Sequence, residues 1–155
     1  MRAAAIALLC LAAPPGLVPG TPAAAASPAA ARDVGAADPL RKVLLDALRP
    51  TVERDLGQKK LIFVVRTLRT QGDWAFADVA PRTPVGRPVD FRKTRHAERL
   101  RLGMLDDDTI YALLKRSDGR WKVVTFAVGP TDVAWDGWDE EFGAPKSLFA
   151  LRNAT

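Results

Sequence analysis

The chain has 155 residues, 48% of them hydrophobic, and carries 23 basic against 18 acidic side chains for a formal net charge of +5. That length suits one domain with its own core, and so modest a charge gives no ground for a nucleic-acid partner. With one cysteine, Cys10, and one histidine, His96, the chain lacks the ligands for a conventional zinc site and the pair needed for an internal disulfide.

Arg2 precedes an unbroken apolar run, Ala3 to Ala13, which Pro14, Pro15 and Gly16 end. The run is too short for a spanning helix, which needs about 20 residues. Ala23 to Ala26 then offer an A-x-A cleavage pattern. Residues 1–26 are therefore expected to be a cleaved secretory signal that takes Cys10 with it. The mature chain is expected in the periplasm or outside the cell, with no transmembrane segment. Residues 27–38 are rich in Ala and Pro without apolar periodicity, so a disordered leader is expected there. Residues 39–155 are expected to form a single α+β domain.

Asp38-Pro39 is a helix start, with a capping oxygen followed by proline at the first helical position. Leu40, Val43, Leu44, Ala47 and Leu48 recur at helical spacing, and Val52 and Leu56 continue the face. Pro50 is expected to kink or restart this helix. Lys60 to Thr70 is rich in β-branched residues and predicts a strand. A turn over Thr70 to Asp73 leads to a second strand, Trp74 to Ala80. Trp74, Phe76 and Asp78 share one face of it, and Ala75, Ala77 and Val79 the other. Prolines and glycines make the start of Pro81 to Leu105 a loop, and its basic second half is read as a short helix or an irregular excursion. Thr109 to Lys115 and Trp121 to Val128 predict two more strands, joined by the Asp118-Gly119 hairpin dipeptide. The fold expected is an N-terminal amphipathic helix packed on a four-stranded antiparallel sheet made of two hairpins, with an aromatic C-terminal tail. Strands one and four carry apolar residues on both sides, so the tail or a second subunit, in a homodimer, must cover the far face.

Two segments carry a family resemblance. Gly72-Asp73-Trp74-Ala75-Phe76 and Asp118-Gly119-Arg120-Trp121-Lys122-Val123 each open a strand after a turn. With the leading helix, they resemble small cystatin-like and nuclear-transport-factor-like domains. The chain is also similar to uncharacterised exported proteins of proteobacterial type over Gly129 to Trp135. The resemblance implies a helix against an antiparallel sheet, with tryptophans capping the sheet ends.

Charge clusters mark the candidate contact surfaces. Arg82 to Arg101 holds seven basic residues (Arg82, Arg87, Arg92, Lys93, Arg95, Arg99, Arg101) against Asp90 and Glu98. Asp132 to Glu141 holds five acidic residues and no basic one. The two are read either as contact surfaces, as solvated faces, or as segments that face each other. His96 sits in the basic run without a nucleophile motif elsewhere, and is expected on the surface. Asp106-Asp107-Asp108 does not match a calcium loop and is read as shaping a turn. Asp132, Asp136 and Glu140 near tryptophans suit sugar contact, while Trp135 and Trp138 also suit packing of the tail. Arg66 is expected to be partly buried, with Asp78 or Asp132 as partner.

No catalytic residue and no cofactor is assigned. The first function expected is a non-catalytic exported binding or accessory module, with an envelope protein or an anionic envelope component as partner. Its contact residues would be Arg92, Lys93, Arg95, His96, Trp135, Asp136 and Trp138. One alternative is an enzymatic or small-molecule-binding domain with a pocket between helix and sheet, lined by Arg66, Trp74 and Tyr111. Another is an inhibitor or immunity-type protein that blocks a hydrolase through an exposed loop.

Overall fold

A computed structural model of the protein describes residues 29–150. The expected signal, residues 1–26, lies outside the described residues. The described chain forms β1 (Arg32–Asp33), α1 (Pro39–Leu56), β2 (Ile62–Gln71), β3 (Trp74–Arg82), a 3-10 turn (Phe91–Lys93), α2 (Ala97–Arg101), β4 (Ile110–Ser117), β5 (Arg120–Val128), α3 (Trp138–Phe142) and a last 3-10 turn (Lys146–Phe149). The α+β class matches the expectation, but the sheet has five strands, not four. They form an antiparallel meander in the order β1-β2-β3-β4-β5. The extra strand falls in the segment expected to be a disordered leader. Arg32 pairs with Thr70 and Asp33 with Arg69, and Val34 then buries its side chain in the main core. Two paired residues and one buried valine are too short a signal for periodicity to report.

α1 begins as its sequence dictates. Asp38 accepts from Leu40 N at 2.9 Å, and Pro39 occupies the first helical position. The Arg32 guanidinium bonded to Asp38 holds its carboxyl below the usual carboxylate range, which ties β1 to the helix cap. Leu44, Leu48, Val52 and Leu56 are buried at a strict spacing of four, whereas Val43, expected on this face, is half exposed. The helix also runs through Pro50 without ending. Proline removes one backbone donor, but burying Val52 and Leu56 beyond it contributes about 1.5–3 kcal/mol each, enough to offset that loss. Gly57 closes α1 in the left-handed region at φ 62°.

Both hairpins form as read. Gln71 pairs with Trp74 and Ser117 with Arg120. Asp118 and Gly119 both take positive φ, 53° and 72°, as a two-residue turn between right-twisted strands demands. Along β3 the alternation predicted from sequence separates two cores. Ala75, Ala77 and Val79 face α1 together with Ile110, Ala112, Leu114 and Val128. Phe76 and Leu113 face the other way, under Trp138, Ala144 and Leu148 of the tail. The tail is thus the second cover of the sheet, opposite α1, as the apolar character of both sheet faces required.

The segment between β3 and β4 is ordered and packs on the helix side, where Val89, Phe91 and Leu105 join the main core. His96 is buried rather than on the surface. Its Nε2 lies 2.5 Å from Asp55 Oδ2 on α1, and its Nδ1 faces the Arg99 guanidinium at 3.4 Å. Gly129 fixes the far end of the segment. At φ 49°, a Cβ there would sit 2.5 Å from the Asp107 carbonyl and 2.6 Å from Leu105 Cγ.

Candidate functional site

The tail reaches its place by aromatic packing. Trp135 lies 4.5 Å from the Tyr111 ring and 5.6 Å from Phe76, centroid to centroid. Phe149 meets Phe76 edge-on at 5.4 Å, and Trp138 meets Phe149 at 6.4 Å. Gly137 and Gly143, both at positive φ, bracket α3 so that its one and a half turns lie between two reversals. Arg69, opposite Phe76 on β2, then fastens the end. Its Nη1 donates to the carbonyls of Ser147 and Leu148, 3.1 Å each, and to that of Ala150. Its Nε lies 3.2 Å from Asp33 Oδ1, without hydrogen-bond geometry. A single side chain therefore links β1, β2 and the tail.

A groove of about 530 Å³ opens on the outer surface of this layer. Trp135 and Phe149 supply its aromatic wall, and Asp136, Asp139, Glu140 and Lys146 its polar rim. Among the described residues, none of Asp132, Asp136, Asp139, Glu140 and Glu141 forms an ion pair. The acidic tail and the basic segment lie on opposite faces of the sheet, so of the three readings open for them, the one in which they face each other does not hold. Trp135 and Asp136, named from sequence, line the groove. Trp138, named with them, is only 7% exposed and packs the tail core, so it offers no contact surface. Phe149, Asp139 and Lys146 were not assigned from sequence. They reach the groove because two glycine reversals fold the tail back on itself, which no local pattern announces.

The basic segment spends much of its charge internally. Arg92 pairs with Asp90, Arg95 with Asp55 and Arg101 with Glu98. Arg82 pairs with Asp108. Arg99 donates to the carbonyls of Val128 and Met104, both at 3.2 Å. Lys93 stays exposed with no carboxylate partner among the described residues.

The pocket expected between helix and sheet has the wrong walls. Trp74 and Tyr111 lie on the tail side of the sheet, opposite α1. Tyr111 is covered by Trp135, and Trp74 stacks under the Lys115 ammonium at 4.6 Å. None of the five clefts described is lined by either residue. Arg66 sits at a bulge of β2, where the register shifts between Val65 and Thr67. Its guanidinium bonds Thr109 Oγ1 and lies 3.6 Å from Asp78, 3.9 Å from Asp107 and 3.5 Å from Asp108. Of the two partners named from sequence, Asp78 is present and Asp132 is not. Burial pushes the Asp78 carboxyl above its usual range, against the pull of Arg66. Burial also raises the Tyr111 phenol, with Asp78 adding to it. Asp107 shapes the entry to β4 as read, accepting from Thr109 N at 2.8 Å and Thr109 Oγ1 at 2.7 Å.

Among the described residues, no group of three or more His, Cys, Asp or Glu is placed to hold a metal ion, and no helix is long and apolar enough to cross a membrane. The chain matches no protein-family model, no curated protein and no solved structure.

Proposed function

We propose that this is an exported, non-catalytic binding module whose contact site is the tail groove. The observation that carries the reading is the groove itself: an open trough lined by Trp135 and Phe149, with Asp136, Asp139 and Glu140 forming no ion pair among the described residues. An indole and a phenyl ring give flat apolar area at low conformational cost, and a cation over either face gains further attraction. Net negative charge at the rim disfavours an anionic component and favours a Lys- or Arg-bearing segment of an envelope protein. The leading helix on an antiparallel meander is the arrangement implied by the cystatin-like and nuclear-transport-factor-like resemblance, and it supports that reading. The N-terminal charge, apolar run and A-x-A pattern support export.

The test compares the wild-type chain with Trp135→Ala and with the triple variant Asp136→Asn, Asp139→Asn, Glu140→Gln. Each is titrated with a short arginine-rich peptide and with its glutamate-rich counterpart, following tryptophan fluorescence. Saturable binding of the cationic peptide that both variants lose is the expected result. Equal binding by wild type and triple variant, or none by wild type, overturns the proposal.

A further inference from the structure

We infer that the open stretch of β2, Ile62 to Thr67, takes an extended peptide of a partner protein as an added strand, and that this peptide carries carboxylates at its ends. None of these residues lines the tail groove. On the outer side of β2, β1 pairs with Thr70 and Arg69 alone, and its column ends where Val34 N donates to Leu68 O at 2.7 Å. Gly35 then leads the chain away toward α1. β3 pairs the inner side of β2 from Ile62 to Gln71. Among the described residues, nothing hydrogen-bonds the outer backbone edge from Ile62 to Thr67. A row of unpaired backbone donors and acceptors is a template for one more strand.

Side chains single out this edge of the sheet. Ile62 is 45% exposed and Val64 50%, two apolar groups on one face of the strand, while Phe63 and Val65 turn to the main core. Ile62-Phe63-Val64-Val65 holds no proline and no charge, the usual guards of a bare edge. β5, at the opposite edge, carries exposed Arg120 and Lys122. An added strand would set its alternate side chains against Ile62 and Val64.

α1 borders the edge at both ends, and the charges there favour an acidic occupant. Beside Ile62, a cleft of about 580 Å³ is lined by Arg49, Lys59 and Lys60 against Glu53. Beside Val65, a cleft of about 360 Å³ is lined by Arg41, Arg66 and Arg69 against Asp33. Three of these cations are already engaged: Arg49 by Asp46, Arg66 by Asp78, Asp107 and Asp108, and Arg69 by Asp33. Arg41, Lys59 and Lys60 have no carboxylate partner among the described residues. The two lining carboxylates are both occupied, Glu53 accepting from Leu61 N at 2.9 Å and Asp33 lying beside Arg69. Free cations thus stand at each end of the bare backbone. In such pairing the main chain supplies affinity, while alternate side chains and end charges supply selectivity.

The experiment titrates the full chain with a dye-labelled peptide of alternating valine and threonine that ends in glutamates on both sides. Anisotropy reads binding, and hydrogen exchange maps the site. One comparison peptide ends in lysines instead, and another has proline at alternate positions. The expected result is saturable binding of the glutamate-ended peptide alone, with exchange slowed within Ile62 to Thr67. Ile62→Glu with Val64→Glu should weaken it about tenfold or more. Lys59→Gln with Lys60→Asn should weaken it too, asparagine suiting the φ of 58° at position 60. All four altered side chains are exposed, so the circular dichroism of both variants should match wild type. The variant Asp136→Asn, Asp139→Asn, Glu140→Gln should bind this peptide as wild type does. No saturable binding, equal binding of the lysine-ended or proline-bearing peptide, or protection only outside Ile62 to Thr67 overturns the inference. So does protection of that stretch that grows with protein concentration in the absence of peptide, as pairing with a second copy would produce.

Discussion

Replacing Arg69 by methionine should loosen the whole tail layer. Methionine keeps most of the apolar stem but leaves the Ser147, Leu148 and Ala150 carbonyls without their shared donor. The Arg69 side chain is only 11% exposed, so water does not fully replace the lost bonds. A hydrogen bond from a charged donor contributes about 1.5–3 kcal/mol, and three bonds from one nitrogen are not additive. The expected loss is therefore about 2–3 kcal/mol, which for a domain of this size is a fall in Tm of roughly 6–15 °C. Urea denaturation followed by tryptophan fluorescence reads it, since Trp135 and Trp138 both belong to the tail layer. Arg69→Lys should recover part of the loss, because an ammonium still donates but cannot fork. Arg69→Met within about 0.5 kcal/mol of wild type would refute the claim that this side chain fastens the tail.

Two further predictions concern buried charge. The folded state holds the Asp78 proton more tightly than the unfolded chain does, so stability falls as pH rises from the ordinary value of 3.8 through the raised folded pKa. Asp78→Asn should lack that decline and be at least as stable as wild type near neutrality; parallel pH profiles of urea midpoints for the two proteins would contradict it. His96→Leu should leave the Asp55 carboxylate, 11% exposed, with only the exposed Arg95 as partner. The expected cost is about 1–3 kcal/mol, with faster proteolysis between Arg87 and Met104, and an unchanged cleavage pattern would show that His96 does not pin this segment.

Much of the architecture was legible because it is local. A capping aspartate before proline, leucines four apart, the alternation of β3 and an Asp-Gly turn each act through neighbours within a few residues. Arg66 among apolar strand residues pointed to an ion pair with Asp78 or Asp132, and Asp78 is the one present. The apolar character of both strand faces also required a second covering layer, which the tail supplies. β1 escaped notice because two residues have no period, and α1 passed Pro50 because burial beyond it outweighs one missing donor.

The candidate site depended on distant parts of the chain. Trp135 and Trp138 have the same local signature, an aromatic among acids. Whether each lines a groove or fills a core depends on where Gly137 and Gly143 reverse the chain over Phe76 and Leu113. His96 reads as one more polar residue in a basic run until Asp55, 41 residues earlier, comes within bonding distance. Composition and periodicity determined the helix, the hairpins and the separation of the sheet into two faces, because those follow from backbone geometry and side-chain alternation. Which charges pair, which aromatics stay open to solvent and which leucines protrude were decided only by tertiary packing, because each depends on a partner far away in sequence.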